Sequence, residues 1–238
     1  MARSPEISTA SPITKAAAFV RSGGAGLLFA ASLCGCSSLL ENTMPGVGDL
    51  LNYSLDSSPS ISRENAAAVP YASLGVRIED GPQQMVILAG RLGSSLLWTT
   101  PNRIALETHD GRIVRTAGFE HNLSNVEFEE PDPLIAVGGI PSRTMAADRM
   151  VSFADINKYA VRLHCQLQNL GSRRIVVLEA RRSAILVKEH CTASHLDWEF
   201  TNRFWIDEKS GTVWQSQQFV HPEMPPIELQ VFRPVGGG

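Results

Sequence analysis

Two His-Cys dipeptides, His164-Cys165 and His190-Cys191, are the residues best equipped for chemistry, because two imidazoles and two thiols make a Cys2His2 zinc set. Their surroundings argue against a metal. Tyr159, Val161, Leu163, Cys165 and Leu167 alternate in one run, with Lys158, Arg162, His164, Gln166 and Gln168 between them; Ile185, Val187 and Cys191 keep the same phase in another. Neighbouring residues of a strand point to opposite faces, so the cysteines share the apolar side while the histidines turn away. Four ligands could converge only with bulges at both places. In an exported chain, which the N-terminus described below implies, the expected outcome is a Cys165–Cys191 disulfide rather than a metal centre or two buried thiols. No metal and no cofactor are expected.

The acidic group Glu127, Glu129, Glu130 and Asp132 could supply the two carboxylates of a glycosidase. It sits in a stretch broken by Pro131, Pro133, Gly138-Gly139 and Pro141, where acids are usually solvated, so Gly118 to Met150 reads as a loop crossing between two halves of a sheet. No G-x-S-x-G elbow, P-loop or H-E-x-x-H is present, and no residue is assigned a catalytic role. Trp98, Trp198, Trp205 and Trp214 could offer flat faces to sugar rings, although tryptophan on a strand is more often core. Thr201, Arg203, Trp205 and Asp207 share one strand face, and this mixed polar and aromatic strip is the candidate interaction surface.

The elements that would carry these residues are strands. Phe200, Asn202, Phe204 and Ile206 form the face opposite that strip, Glu208 to Gly211 makes a turn, Thr212 to Val220 returns, and Ile227, Leu229 and Val231 form a last strand. Upstream, Ala72 to Glu79 alternates up to an Asp80-Gly81 turn, followed by Gln84 to Arg91, Leu96 to Thr99, Arg103 to His109, a second Asp-Gly turn and Arg112 to Ala117. Asn169 to Ser172 reads as the turn ending the strand that carries Cys165, and Arg173 to Cys191 as another strand or two. Short strands with this spacing predict an all-β domain over 70–234, an antiparallel barrel-like or sandwich fold.

The first 35 residues form a targeting segment. Arg3, Lys15 and Arg21 precede a short apolar run, Ala25 to Leu33, and Leu33-Cys34-Gly35-Cys36 resembles the bacterial lipoprotein signal, with Cys36 as the acylated residue. The leader is long, and a translation start downstream of Met1 is expected. By resemblance to the sorting rule of that class, Ser37 implies the outer membrane. Residues 36–69 then read as a tether with a short helix at Ser62 to Ala68, stopped by Pro70. About 25 flexible residues have an r.m.s. span of about 25–30 Å.

Hydrophobic content of 43% over 238 residues is ordinary for a globular chain, and no apolar run is long enough to span a membrane as a helix. Loss of residues 1–35 removes Arg3, Lys15, Arg21 and Glu6, taking 21 basic and 24 acidic residues to 18 and 23, a net of −5. Such a chain lacks the basic surplus that nucleic acid requires.

Several short motifs go further. Pro70-Tyr71-Ala72-Ser73-Leu74, Asp80-Gly81-Pro82-Gln83, Thr201-Asn-Arg-Phe-Trp205, Gly211-Thr-Val-Trp214 with Ser216, and Pro225-Pro226 resemble the YjbF family of group 4 capsule polysaccharide lipoproteins. The resemblance covers Val69 to Ala117 and Cys191 to Pro234. It implies a barrel-like periplasmic domain, anchored in the outer membrane and acting without catalysis in capsule or exopolysaccharide assembly or export. The implied partners are membrane lipid through Cys36, and export proteins, polysaccharide, or both. The competing readings are a periplasmic glycan-modifying enzyme using the acidic loop, and a purely structural envelope lipoprotein.

Overall fold

Period-two burial governs the architecture. In the computed structural model, which describes residues 61–135 and 144–236, helix α1 (Arg63–Ala68) precedes thirteen strands: β1 (Ser73–Ile78), β2 (Gln84–Leu92), β3 (Ser95–Thr99), β4 (Ala105–His109), β5 (Arg112–Ala117), β6 (Asn125–Phe128), β7 (Met145–Ala146), β8 (Arg149–Phe153), β9 (Lys158–Val177), β10 (Ala180–Ala193), β11 (Trp198–Ile206), β12 (Val213–Gln218) and β13 (Ile227–Arg233). All pairings are antiparallel, in the order β5-β4-β3-β2-β1-β13-β12-β11-β10-β9-β8-β6, with β7 on β9. The two ends of this path nearly meet. The Thr116 amide donates to the Leu123 carbonyl at 2.9 Å, and the Leu123 amide donates to Thr116 Oγ1 at 2.9 Å, so the sheet forms a nearly closed barrel rather than a sandwich.

Every second residue faces inward. Val151 and Phe153 on β8, Val161, Leu163 and Leu167 on β9, Phe200, Phe204 and Ile206 on β11, and Ile227 and Leu229 on β13 are all buried in one core. Helix α1 begins where the Ser62 hydroxyl accepts the Asn65 amide, and Arg233 on β13 donates to its Ala67 carbonyl at 3.2 Å. Gly75 sits in close approach: a Cβ there would clash with the Phe232 ring and the Gln83 side chain.

Cys165 and Cys191 face each other directly across β9 and β10 and form a disulfide, while His164 and His190 turn outward. The alternation argument therefore holds, and the thiols are unavailable to a metal.

Two expectations are corrected. Asn169 to Ser172 is no turn. It lies within β9, where the pairing slips (Ile185 opposite Ser172, Val187 opposite Asn169) and Gly171 takes φ +79°. This is a bulge, whose glycine and asparagine resemble those of a turn. The chain reverses instead at Leu178-Glu179, both at positive φ, with no glycine to mark it. The stretch from Gly118 to Met150 is also more than a crossing, since it contains β6, β7 and the start of β8.

Loss of the disulfide removes a constraint across 26 positions. Cys165→Ala with Cys191→Ala is expected to lower unfolding stability by about 2–5 kcal/mol. Urea unfolding of both proteins, with mass spectrometry under non-reducing conditions, checks this; free thiols in the native chain would contradict the pairing.

Candidate functional site

Inside the barrel the inward phase is not purely apolar. Glu189 lies in register between Val187 and Cys191, Arg149 precedes Val151 and Phe153, and Asn202 sits between Phe200 and Phe204; all three are buried. Arg112, at the start of β5, is buried with them, and Asp132, after β6, is nearly so. Arg112 donates through Nη1 and Nη2 to Glu189 at 2.8 and 2.9 Å, and through Nε and Nη2 to Asp132. Arg149 donates to the same Glu189 oxygens at 2.8 and 3.0 Å, and Asn202 Nδ2 adds a further bond at 2.8 Å. The Arg112 guanidinium also lies 5.1 Å from the Phe204 ring centre.

The four charges cancel. Burial opposes ionisation of Glu189, but the two guanidiniums outweigh it and hold its carboxyl far below the usual range. Burial likewise works against the charge on Arg112, where Asp132 and Glu189 prevail. A carboxylate so held is a poor general acid or base at neutral pH, because such roles need a pKa near the working pH. Space is equally limiting. The cavity beside Arg112, Arg149, Asn202 and Gln218 measures about 20 Å³, room for a water, whereas ligand sites are typically about 300–1,000 Å³.

The acidic loop is thereby divided. Glu127, Glu129 and Glu130 are exposed, with Glu129 paired to Arg162 at 2.6 Å, while Asp132 turns inward to Arg112. Expecting the whole group at the surface overlooked that Arg112 and Arg149 needed partners.

A second cluster, His121, His221 and Glu223, places possible metal donors within 4.8 Å of one another. His221 Nδ1 accepts the Glu223 amide at 3.1 Å, so its hydrogen is on Nε2, which faces Asp155 Oδ2 at 3.4 Å. A protonated ring nitrogen has no lone pair for a metal, and burial keeps this imidazole's pKa below its usual value. His121 stacks on it at 4.8 Å and joins the same Asp155 oxygen through Nδ1 at 3.2 Å. The group ties three loops at one end of the barrel.

The remaining sequence candidates lie on the outer face. Arg203 is exposed and donates to Gln217 at 2.7 Å, and Thr201 is partly exposed. Trp205 packs partly buried on a second cluster, Ile175, Val177, Ala184 and Trp214. Asp207 accepts the Ser210 and Lys209 amides at 2.8 and 3.0 Å, which lowers its pKa and commits it to the β11–β12 turn. Trp98 is buried and Trp198 half-buried. Cys36 lies outside the described residues. Missing from the sequence reading is the row around Arg203. Gln168, Lys188, Arg203, Gln217, Glu228 and Arg77 are successive cross-strand partners from β9 to β1, a polar band across six strands.

The described residues thus form a nearly closed antiparallel barrel with a charge-balanced network at its centre and a polar band outside. The family described as group 4 capsule polysaccharide lipoprotein GfcB, YjbF matches residues 33–232, and this chain belongs to it. The Escherichia coli K12 lipoprotein GfcB is 22% identical over 209 residues, covering 87% of this chain and 96% of its own length. The lipoprotein YjbF of the same strain is 25% identical over 198 residues, covering 80% and 90%. The crystal structure of the hypothetical lipoprotein YmcC from E. coli K12 superposes with a TM-score of 0.66 at 22% identity, covering 82% of this chain and 100% of that one, which supports the fold.

Glu189→Gln leaves two buried guanidiniums short of charge and is expected to destabilise by about 3–5 kcal/mol. A depressed carboxylate stabilises fully above its unfolded pKa of about 4.3, and that contribution drains as pH falls towards the folded value. Thermal unfolding from pH 7 to pH 3 should show a steep acid loss in the native chain and a shallower one in the variant. Equal curves would exclude the network as a source of stability.

Proposed function

We propose that this chain is a lipid-anchored, non-enzymatic accessory factor in the assembly or export of capsule or exopolysaccharide. Cys36 carries the acyl chains, and several chains on one residue give stable attachment. Ser37 directs the protein to the outer membrane, and the tether of 36–69 holds the β domain of 70–234 in the periplasm. The domain contacts export proteins, polysaccharide, or both through its outer surface.

The observation that carries this reading is the filled barrel of a capsule lipoprotein family member. Four buried charges neutralise one another around a gap of about 20 Å³, so this centre of the barrel offers a glycan neither room nor a poised acid. Recognition is assigned instead to the outside. There Arg203, one of the residues singled out by alternation, lies at the centre of the polar band, beside Lys188 and Gln217. Amides and guanidiniums in a row suit a hydroxylated or anionic polymer, because each presents several hydrogen-bond donors in a fixed plane. Thr201 and Trp205 border that row, Trp205 with part of its ring covered.

Deletion in the producing strain is expected to cut secreted polysaccharide severely, with recovery on expression of the native chain but not of Cys36→Ser. Glu127→Ala, Glu129→Ala and Glu130→Ala together should restore polymer of unchanged length and composition; Asp132 is left intact because it partners Arg112. Normal secretion after deletion would overturn the reading, and altered polymer chemistry in the triple variant would favour an enzyme.

A further inference from the structure

Beyond the bulge at Gly171, β9 and β10 continue as an arm. Pairing of β7 on β9 involves Leu167 and Gln166, and pairing of β11 on β10 begins at Ile185, so beyond the Ser172–Ile185 pair, residues 173–184 pair in the ladder only with each other among the described residues. One face of the arm is anchored. Ile175, Val177 and Ala184 are buried with Trp214, and Leu178, Trp205, Val231 and Phe232 pack around them. Trp214 reaches that cluster because it is the extra residue of a bulge: Trp205 pairs with Gln215 and Ile206 with Val213. The guanidinium of Arg182 lies 3.6 Å from the Trp214 ring centre, with its Nε hydrogen unpartnered.

The other face carries charge without compensation. Arg174 and Arg181 are exposed on it, opposite Ser183 and Val176, whereas Arg173 and Arg182, opposite Ala184 and Ile175, belong to the anchored face; Glu179 is the only acid between 173 and 184. Elsewhere in the chain, Arg77, Arg112, Arg115, Arg149 and Arg162 each meet a carboxylate. None of the four arm arginines does so among the described residues. In a chain of net negative charge, this exposed face of the arm is positive.

We propose that this arm is a binding site for an anionic polysaccharide, whose carboxylates or phosphates are taken by Arg174 and Arg181 on its exposed face. Guanidinium forks bind such groups through two parallel hydrogen bonds. A lipid surface carries the same anions, but surface helices and arms that dock on membranes also need a broad apolar face. Here the large apolar side chains turn into the cluster, and Val176 is the exposed exception. Ser172 and Ser183, whose hydroxyls meet at 3.0 Å on the exposed side, add hydrogen-bonding capacity suited to sugars. This inference rests on the proposed role in polysaccharide handling and names its ligand class.

The test uses the purified, acylated full-length protein in neutral detergent, with polygalacturonate as the probe and neutral dextran as the control. The protein is expected to bind polygalacturonate more weakly as salt rises, and dextran not at all. Arg174→Glu with Arg181→Glu should weaken binding about tenfold or more at unchanged melting temperature, since both side chains are exposed. Undiminished binding by the double variant, equal binding of dextran, or displacement of polygalacturonate by phosphatidylglycerol-doped micelles would overturn the proposal, the last in favour of a lipid surface. Because binding is measured on purified protein, its failure leaves the secretion phenotype standing, and an absent phenotype leaves the binding standing.

Discussion

The barrel depends on Glu189. A single carboxylate at the centre of a nearly closed sheet would cost several kcal/mol to desolvate, and removal of either guanidinium would expose that cost. Its partners come from separate parts of the chain: Arg112 from β5, Arg149 from β8, Asn202 from β11, with Asp132 delivered after β6 to complete Arg112. A one-residue slip of β10 would turn Glu189 outward and Lys188 inward. The network thus adds a charge penalty to the apolar one that already opposes a misregistered pairing. The disulfide reinforces the same register two residues along, where Arg149 Nη2 also comes within 3.6 Å of Cys191 Sγ.

This constraint shapes the centre of the barrel. Charges that satisfy one another make Glu189 a poor acid or base, and the small gap beside it admits no sugar ring. A concavity of about 420 Å³ lies instead on the outer side of β2–β5, open and lined by residues such as Leu92, Leu97 and Arg115. The polar band, the arginine arm and this concavity are all external.

Alternation alone located most strands, both Asp-Gly hairpins and the cysteine pair, because each is a local pattern in which period two and turn chemistry agree. It also put Phe200, Phe204 and Ile206 inside and Arg203 outside. Two features were illegible for the same reason: they depend on partners distant in sequence. Glu189 kept the inward phase of Val187 and Cys191, and Arg149 that of Val151 and Phe153, but polarity drew attention to the neighbouring apolar residues instead. An inward-phase acid and an inward-phase arginine on different strands form a pair that a phase count could have found. The bulge at Gly171 could not be told from a turn, since both use glycine at positive φ after an asparagine, and only the 172–184 ladder distinguishes them.

The central claim is that the outer face acts while the interior only holds it in shape. Complementation of the deletion strain by Lys188→Glu with Arg203→Glu tests this most directly, because both substitutions reverse charge in the polar band without touching the core. The double variant should accumulate at the native level and melt at the native temperature, yet fail to restore polysaccharide secretion. Full restoration by that variant would contradict the claim.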